Sequence, residues 1–203
     1  VHLHYAKDAE VKAPPDLKRP VLRDHPLDEI RPFVNPQMLF AKHLGLRGNM
    51  HNLVEAKDEK ALKLLDMAGY VEEAAQSHRW IRAHAVWRFY PARGEGNDVV
   101  LLSPDARSEV ARFRFARQTK GDGLCLADFL AAPAPGTQDY VALFVTSCGE
   151  GLREHVERFK AAGEYLKCHV LQALAIESAE AFAEFLHAKL RAMWGFPDSA
   201  ELT

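Results

Sequence analysis

The sequence of 203 residues has no surplus of basic residues, no closely spaced cysteine pair and no long apolar run. Its 26 Lys and Arg against 28 Asp and Glu give a formal net charge of −2. A protein that binds nucleic acid through its phosphates needs an excess or a stripe of positive charge. A membrane-spanning helix needs roughly 18 consecutive apolar residues. We therefore expect a cytoplasmic protein with no nucleic-acid or membrane partner, and the charged first ten residues do not fit a signal peptide.

The cysteines are few, odd in number and far apart, so they predict neither a disulfide framework nor a zinc site. Cys125 lies in "GLCLADFLA", a stretch that could surround a catalytic nucleophile. A nucleophilic cysteine needs a histidine, a cation or a helix N-terminus to lower its pKa, and here the neighbours are apolar. We expect a packed, inert thiol, with Asp128 capping or turning the backbone. A free-standing cysteine hydrolase is the weakest of three functional hypotheses.

Two further patterns suggest sites but favour ordinary structure. Glu180, Glu184 and His187 have the helical spacing of half a di-iron carboxylate site. No second Glu-x-x-His follows, so we expect a solvated helix face and no bound metal. "RGEGND", residues 93–98, lacks the lysine of a phosphate-binding loop and the third glycine of a dinucleotide fingerprint. It predicts a hairpin turn, and no catalytic residue is predicted anywhere in the chain.

Prolines divide the chain into a tether and a domain. Residues 11–26 contain four prolines and little apolar periodicity, which is typical of a linker or a surface arm. We expect residues 1–26 to be the tail of a preceding module followed by its linker, and residues 27–203 to form the domain. The chain would then be a piece of a longer protein.

Periodicity along residues 27–203 predicts an α+β fold with a bent, mainly antiparallel sheet and flanking helices. Helices are predicted at 59–76, 151–163 and 164–194, and strands at 83–92, 97–102, 109–118 and 138–148. Pro91 is expected to end the first of these strands. The last strand is nearly all apolar, which predicts a central position in the sheet.

Three long stretches contain ordered, specific motifs. They read "VWRFYPARGEGNDVVLL", "FARQTKGDGLCLADFLAAPAPGTQDYVALFVT" and "LQALAIESAEAFAEFLHAKLRAMWGF". They resemble a proline-containing hairpin, then R-Q-Q-T-E-K…L-C-L-A-D-F with D-Y-[IV]-x-x-F-x-V-T, and A-L-A-D-R-L-A-E-A-F-A-E-Y-L-H with W-G-[YF]. These belong to the C-terminal reactivation domain of cobalamin-dependent methionine synthase. The resemblance is good over residues 85–196 and loose over 27–84.

The resemblance implies a function in methionine biosynthesis. Such a domain holds S-adenosylmethionine and presents its methyl group to an oxidised cobalamin on the neighbouring module of the same chain. A flavodoxin-type partner supplies the electron. Methyl transfer needs correct placement of the reactants more than acid–base groups. The lack of a catalytic triad therefore fits one part of a methyltransferase, and we expect this fragment alone to be inactive. The alternative is a docking module that caps the cobalamin domain without binding S-adenosylmethionine.

The site residues implied by the resemblance match this sequence unevenly. Asn35 or Pro36 stands where the family has an aspartate that contacts the ligand, and Glu180 matches a family glutamate in A-E-A-F. Ile176 stands where the family has an aspartate that helps hold the cobalt's displaced histidine. The family's R-P-x-x-G-Y-P segment, whose arginine and backbone hold the ligand, does not occur before Thr203. We therefore expect Asn35 and Glu180 to contact the ligand weakly, with the remaining contacts beyond Thr203.

Overall fold

The computed structural model of this chain describes residues 11–130 and 138–198. Five strands and five α-helices follow one another in these ranges. The strands are β1 (Val21–His25), β2 (Ala83–Glu95), β3 (Asp98–Leu102), β4 (Glu109–Arg114) and β5 (Asp139–Ser147). The α-helices are α1 (Leu27–Ile30), α2 (Met50–Glu55), α3 (Glu59–Ser77), α4 (Leu152–Ala161) and α5 (Tyr165–Trp194). Short 3₁₀ turns lie at Arg31–Phe33 and Leu126–Phe129, and a π-helical turn lies at Met38–His43.

The strands form one open sheet in the order β1-β2-β3-β4, and β5 also pairs with β2. The pairs β1–β2, β2–β3 and β3–β4 are all antiparallel. Gly96 and Asn97 make the two-residue turn of the β2–β3 hairpin, and Gly96 has the positive φ of +61° that this turn requires. The α+β class, the mainly antiparallel sheet and the flanking helices are thus confirmed.

The chain forms two compact units, and β2, β5 and α5 each contribute residues to both. The described part of the first unit comprises residues 11–20, 87–130, 138–144 and 188–198. Its core includes a small cluster of buried side chains from β2, β3 and the 3₁₀ turn at Leu126–Phe129. These are Ala92, Val99, Leu101, Cys125 and Ala127. Gly94 is required beside this turn, because a Cβ there would lie 2.6 Å from the Ala127 carbonyl oxygen.

The second unit comprises residues 21–86 and 145–187. Its helices α3 and α5 bury apolar stripes at helical spacing. In α3 these residues are Ala61, Leu64, Ala68, Val71 and Ala75, and in α5 they include Val170, Leu171, Leu174 and Phe182. Both helices match their predicted positions within one or two residues. Within the described ranges, no helix is both long and apolar enough to cross a bilayer.

Pro91 does not end its strand, contrary to the prediction. The pairing of β2 with β1 ends at Val86 and its pairing with β3 begins at Ala92. Pro91 lies between these two ladders, so its missing N–H breaks no hydrogen bond in either of them. The strand therefore continues to Glu95.

One other expectation about strands is wrong. The strand β5 is not central, because among the described strands it pairs only with β2, and Val145 remains 65% exposed. Its apolar run instead belongs to a strand whose side chains are mostly half-buried. Within the predicted linker or surface arm, residues 21–25 form β1 and pair with residues 83–86. The domain boundary at residue 26 stays a prediction, and residues 1–10 lie outside the described ranges.

Candidate functional site

The predicted ligand residue Asn35 lies in an exposed turn that starts a helical segment. Its side-chain Oδ1 accepts a hydrogen bond from the Met38 backbone N–H at 3.1 Å. Its backbone oxygen accepts another from the Leu39 N–H at 3.0 Å. This is the arrangement of an N-cap, in which a short polar side chain satisfies a backbone donor that has no partner within the helix. Asn35 therefore shapes the turn, whatever else it contacts.

The segment around Asn35 lies against the middle of α5. The Phe33 ring meets the Phe185 ring edge to face, with 5.7 Å between their centroids. On either side of Asn35, Val34 and Pro36 line a cavity of about 320 Å³ whose wall also contains residues of α5. The fold thus packs the Asn35 segment against α5, the helix that also contains Glu180.

Glu180 lies on an exposed face of α5. Ile176 precedes it by one helical turn on the same face and is 49% exposed. Between them the backbone of Ala179 accepts a hydrogen bond from the Thr146 hydroxyl at 3.1 Å, which ties β5 to this turn of the helix. Glu180 and Glu184 present two carboxylates on adjacent turns, so this face is suited to a cationic group.

One turn before Glu180, α5 contributes a carboxylate to a buried contact with a histidine that the sequence analysis missed. Glu177 is only 2% exposed, and its Oε1 lies 2.8 Å from Nε2 of His43 at the end of the π-helical turn. Nε2 of His169, about two helical turns earlier in α5, lies 2.8 Å from the His43 backbone oxygen. A detectable signal was present, because Glu177 falls at helical spacing within the apolar stripe of α5. The pair fixes the π-helical turn, and hence the Asn35 turn before it, against α5.

The structure leaves Glu180, Glu184 and His187 on an exposed helix face. Among the residues at 11–130 and 138–198, no group of three or more His, Cys, Asp or Glu side chains could hold a metal ion. A single Glu-x-x-His offers too few ligands for tight binding of a transition metal. The absence of a bound metal stays a prediction.

Cys125 belongs to a rigid turn of the first unit and is 3% exposed. Its backbone N–H donates to Oδ2 of Asp128 at 2.9 Å, which closes the 3₁₀ turn as a capping box. The same carboxylate receives two hydrogen bonds of 2.8 Å from the Arg117 guanidinium. The capping role predicted for Asp128 is confirmed. Burial raises the pKa of the Cys148 thiol to about 12, so a second buried cysteine is also unsuited to act as a nucleophile.

Known proteins resemble this chain in sequence and in fold. A family model described as the activation domain of vitamin B12-dependent methionine synthase matches residues 26–203. Methionine synthase of Mycobacterium tuberculosis (strain ATCC 25618 / H37Rv) is 26% identical over 200 residues, which are 92% of this chain and 16% of that protein. Methionine synthase of Mycobacterium leprae (strain TN) is 25% identical over 198 residues, 91% of this chain and 16% of that protein.

A solved structure described as the MetH reactivation domain bound to AdoHcy has the same fold. Its TM-score is 0.82 at 23% identity, and the match covers 93% of this chain and 60% of that one. The resemblance predicted from the motifs is therefore confirmed. The chain spans 16% of the length of each of the two curated relatives.

Proposed function

Since the chain belongs to the family of vitamin B12-dependent methionine synthase activation domains, we propose that it is the reactivation module of such a methyltransferase. In this role it binds S-adenosylmethionine and presents the methyl group to cobalamin on a neighbouring module of the same polypeptide. The observation that carries the proposal is the family match, which extends over residues 26–203. A flavodoxin-type electron donor and a cytoplasmic location are parts of the same proposal.

The chemistry of the ligand fits the exposed face of α5. The methionine part of S-adenosylmethionine carries two positive charges, on its ammonium and sulfonium groups, and one negative charge on its carboxylate. It therefore has a net positive charge. Glu180 and Glu184 offer carboxylates on that face, and the Asn35 turn packs against α5 through Phe33. We propose that Glu180 accepts a hydrogen bond from the ammonium group. Asn35 contributes its backbone groups and its side-chain NH₂ group, because its Oδ1 already accepts a hydrogen bond in the turn.

Placement is the main task of such a module. The methyl group has to face outward toward the cobalamin module, and orienting two reactants in this way accounts for a large part of the rate of an intermolecular transfer. Ile176 gives the outer face of α5 an apolar surface beside Glu180. We propose that this surface contacts the neighbouring module where the family aspartate would make a polar contact. Reactivation consumes one electron and the methyl group, and S-adenosylhomocysteine is the product that leaves.

The test is a titration of the 203-residue chain with S-adenosylmethionine, followed by saturation-transfer NMR of the ligand. We expect weak binding, because the contacts within these residues are few. Glu180→Gln should weaken it about tenfold or more, since a hydrogen bond to a charged group contributes roughly 1.5–3 kcal/mol. Glu184→Gln, one turn further along the same face, is the matched control and should leave the affinity within twofold.

Two results would contradict the proposal. If no saturation transfer is observed at millimolar S-adenosylmethionine, the result favours the alternative of a docking module that has the fold but does not bind this ligand. Equal weakening by Glu180→Gln and Glu184→Gln would show that only the general negative charge of the helix face matters.

A further inference from the structure

Two cavities of the second unit share one wall. The apolar cavity, about 320 Å³, lies between α1, the Asn35 segment, α3 and α5. The charged cavity, about 300 Å³, lies between β1, the end of α3 and the start of β2. Four residues line both cavities: Leu27, Asp28, Gln76 and Ile81. A single ligand of moderate size could therefore place one end in each cavity.

The apolar cavity has the size and lining of a small-molecule site. Ligand pockets of this kind are mostly apolar and start at roughly 300 Å³. Leu39, Phe40 and Leu174 contribute apolar wall. Gly69 lines the cavity within α3, and a Cβ built there would meet no atom within 4 Å. A glycine inside a helix is unfavourable compared with alanine, so here its lack of a side chain keeps the mouth of the cavity open.

The charged cavity contains both signs of charge in equal number. Asp24 accepts hydrogen bonds from Arg82 Nε at 2.7 Å and from Arg79 Nη2 at 2.9 Å. These guanidiniums, Arg82 foremost, hold the pKa of the Asp24 carboxyl well below its usual range, so it is ionised at any physiological pH. Asp28, on the shared wall, accepts a hydrogen bond of 2.7 Å from the Gln76 amide.

Two residues of this cavity have positive φ values that the fold itself explains. Arg79, with φ of +55°, follows the C-cap of α3, where the Trp80 N–H donates to the Ala75 carbonyl oxygen at 2.8 Å. Asp24, with φ of +52°, lies at the irregular register between β1 and β2. The Arg79 side chain is also 63% exposed, so its guanidinium is accessible to a ligand.

We propose that the two cavities together bind a free α-amino acid with a large apolar side chain. The side chain enters the apolar cavity, the carboxylate meets Arg79, and the ammonium group meets Asp28 on the shared wall. The two cavities together are lined by three carboxylates and three guanidiniums, including the Arg31–Glu72 pair, and this balance matches a zwitterion better than an anion or a cation. The Asn35 segment borders this site, whereas Glu180 lies on another face of α5, and the proposal does not depend on the function proposed for that face.

The test compares three ligands that share one ring. L-phenylalanine carries both charges, 3-phenylpropanoate lacks the ammonium group, and 2-phenylethylamine lacks the carboxylate. Titration of the ¹⁵N-labelled chain should show L-phenylalanine binding in the millimolar range or tighter, with shifts in α3 around Gly69 and near Arg79. Each analogue should bind at least fivefold more weakly, since each loses one charged contact.

Variants distinguish the two ends of the site. Gly69→Leu should close the mouth of the apolar cavity and weaken L-phenylalanine at least tenfold. Gly149→Leu is the matched control, because Gly149 also has no atom within 4 Å of a built Cβ but lines neither cavity. Arg79→Gln should weaken L-phenylalanine and 3-phenylpropanoate while leaving 2-phenylethylamine unchanged.

The proposal fails if L-phenylalanine produces no shifts, if the three ligands bind equally, or if Gly69→Leu binds as the unmodified chain does. The analogue series needs no variant, so it decides the matter even if Gly69→Leu does not fold. Loss of S-adenosylmethionine binding in Glu180→Gln with L-phenylalanine binding unchanged would show that the two sites are independent.

Discussion

At the scale of single residues, the most informative part of the first unit is the turn around Cys125. The sequence "GLCLADFLA" could be taken for a nucleophile, yet Cys125 and Asp128 act as the ends of a capping box. Arg117 completes the turn by donating to Asp128, to the Asn97 side chain and to the Gly123 carbonyl oxygen. The Cys125 sulfur lies 3.7 Å from the Asn97 carbonyl oxygen. These contacts of Arg117, Asp128 and Cys125 hold the loop in place.

The first prediction concerns the reactivity of Cys125. We expect its thiol to react slowly with a thiol reagent in the folded chain, at a rate limited by opening of the structure, because it is 3% exposed. Cys125→Ala should lower the free energy of unfolding by about 1 kcal/mol or slightly more, since a small buried group is lost. Mass spectrometry of the labelled sites checks the rate, with the chain in concentrated urea as the fully reactive control. Rapid labelling under native conditions would restore the nucleophile hypothesis.

At the scale of elements, apolar periodicity and turn residues predicted those helices and strands that depend on residues close together in the sequence. The helices α3 and α5 and the β2–β3 hairpin follow from apolar spacing and from a Gly-Asn turn. The continuation of β2 through Pro91 and the pairing of β1 depend on which strands lie on each side, and no local pattern contains that information. The partner of Glu177 could not be predicted either, because His43 lies 134 residues away in the chain and its turn is π-helical.

The second prediction concerns the start of α3. Asp58 is its N-cap, and its Oδ1 accepts a hydrogen bond of 2.8 Å from the Ala61 N–H. Asp58→Ala should lower the free energy of unfolding by about 1 kcal/mol, whereas Asp58→Ser should retain most of the stability. Asp66→Ala, an exposed position inside the same helix, is the control and should change it by less than about 0.5 kcal/mol. Urea unfolding followed by circular dichroism measures all three. Equal losses at both positions would show that the cap contributes nothing specific.

At the scale of the whole molecule, three elements are shared by the two compact units. In β2, residues 83–86 belong to the second unit and residues 87–95 to the first. In β5 the division falls after residue 144, and in α5 after residue 187. Because the backbone of these three elements continues from one unit into the other, we expect the unfolding of the two units to be coupled.

The last prediction follows from this sharing, and the tryptophans offer a probe of each unit. Trp80 lies in the second unit, and Trp87 and Trp194 lie in the first. Trp80→Phe leaves fluorescence only from the first unit, and the double variant Trp87→Phe, Trp194→Phe leaves it only from the second. In each variant, we expect the urea midpoint from fluorescence to coincide with the midpoint from far-ultraviolet circular dichroism, which follows all helices and strands. Comparing two signals within one variant removes the effect of the substitution on stability. Midpoints that differ by more than about 0.5 M, in either variant, would show that the shared strands and helix can break locally and that the units unfold separately.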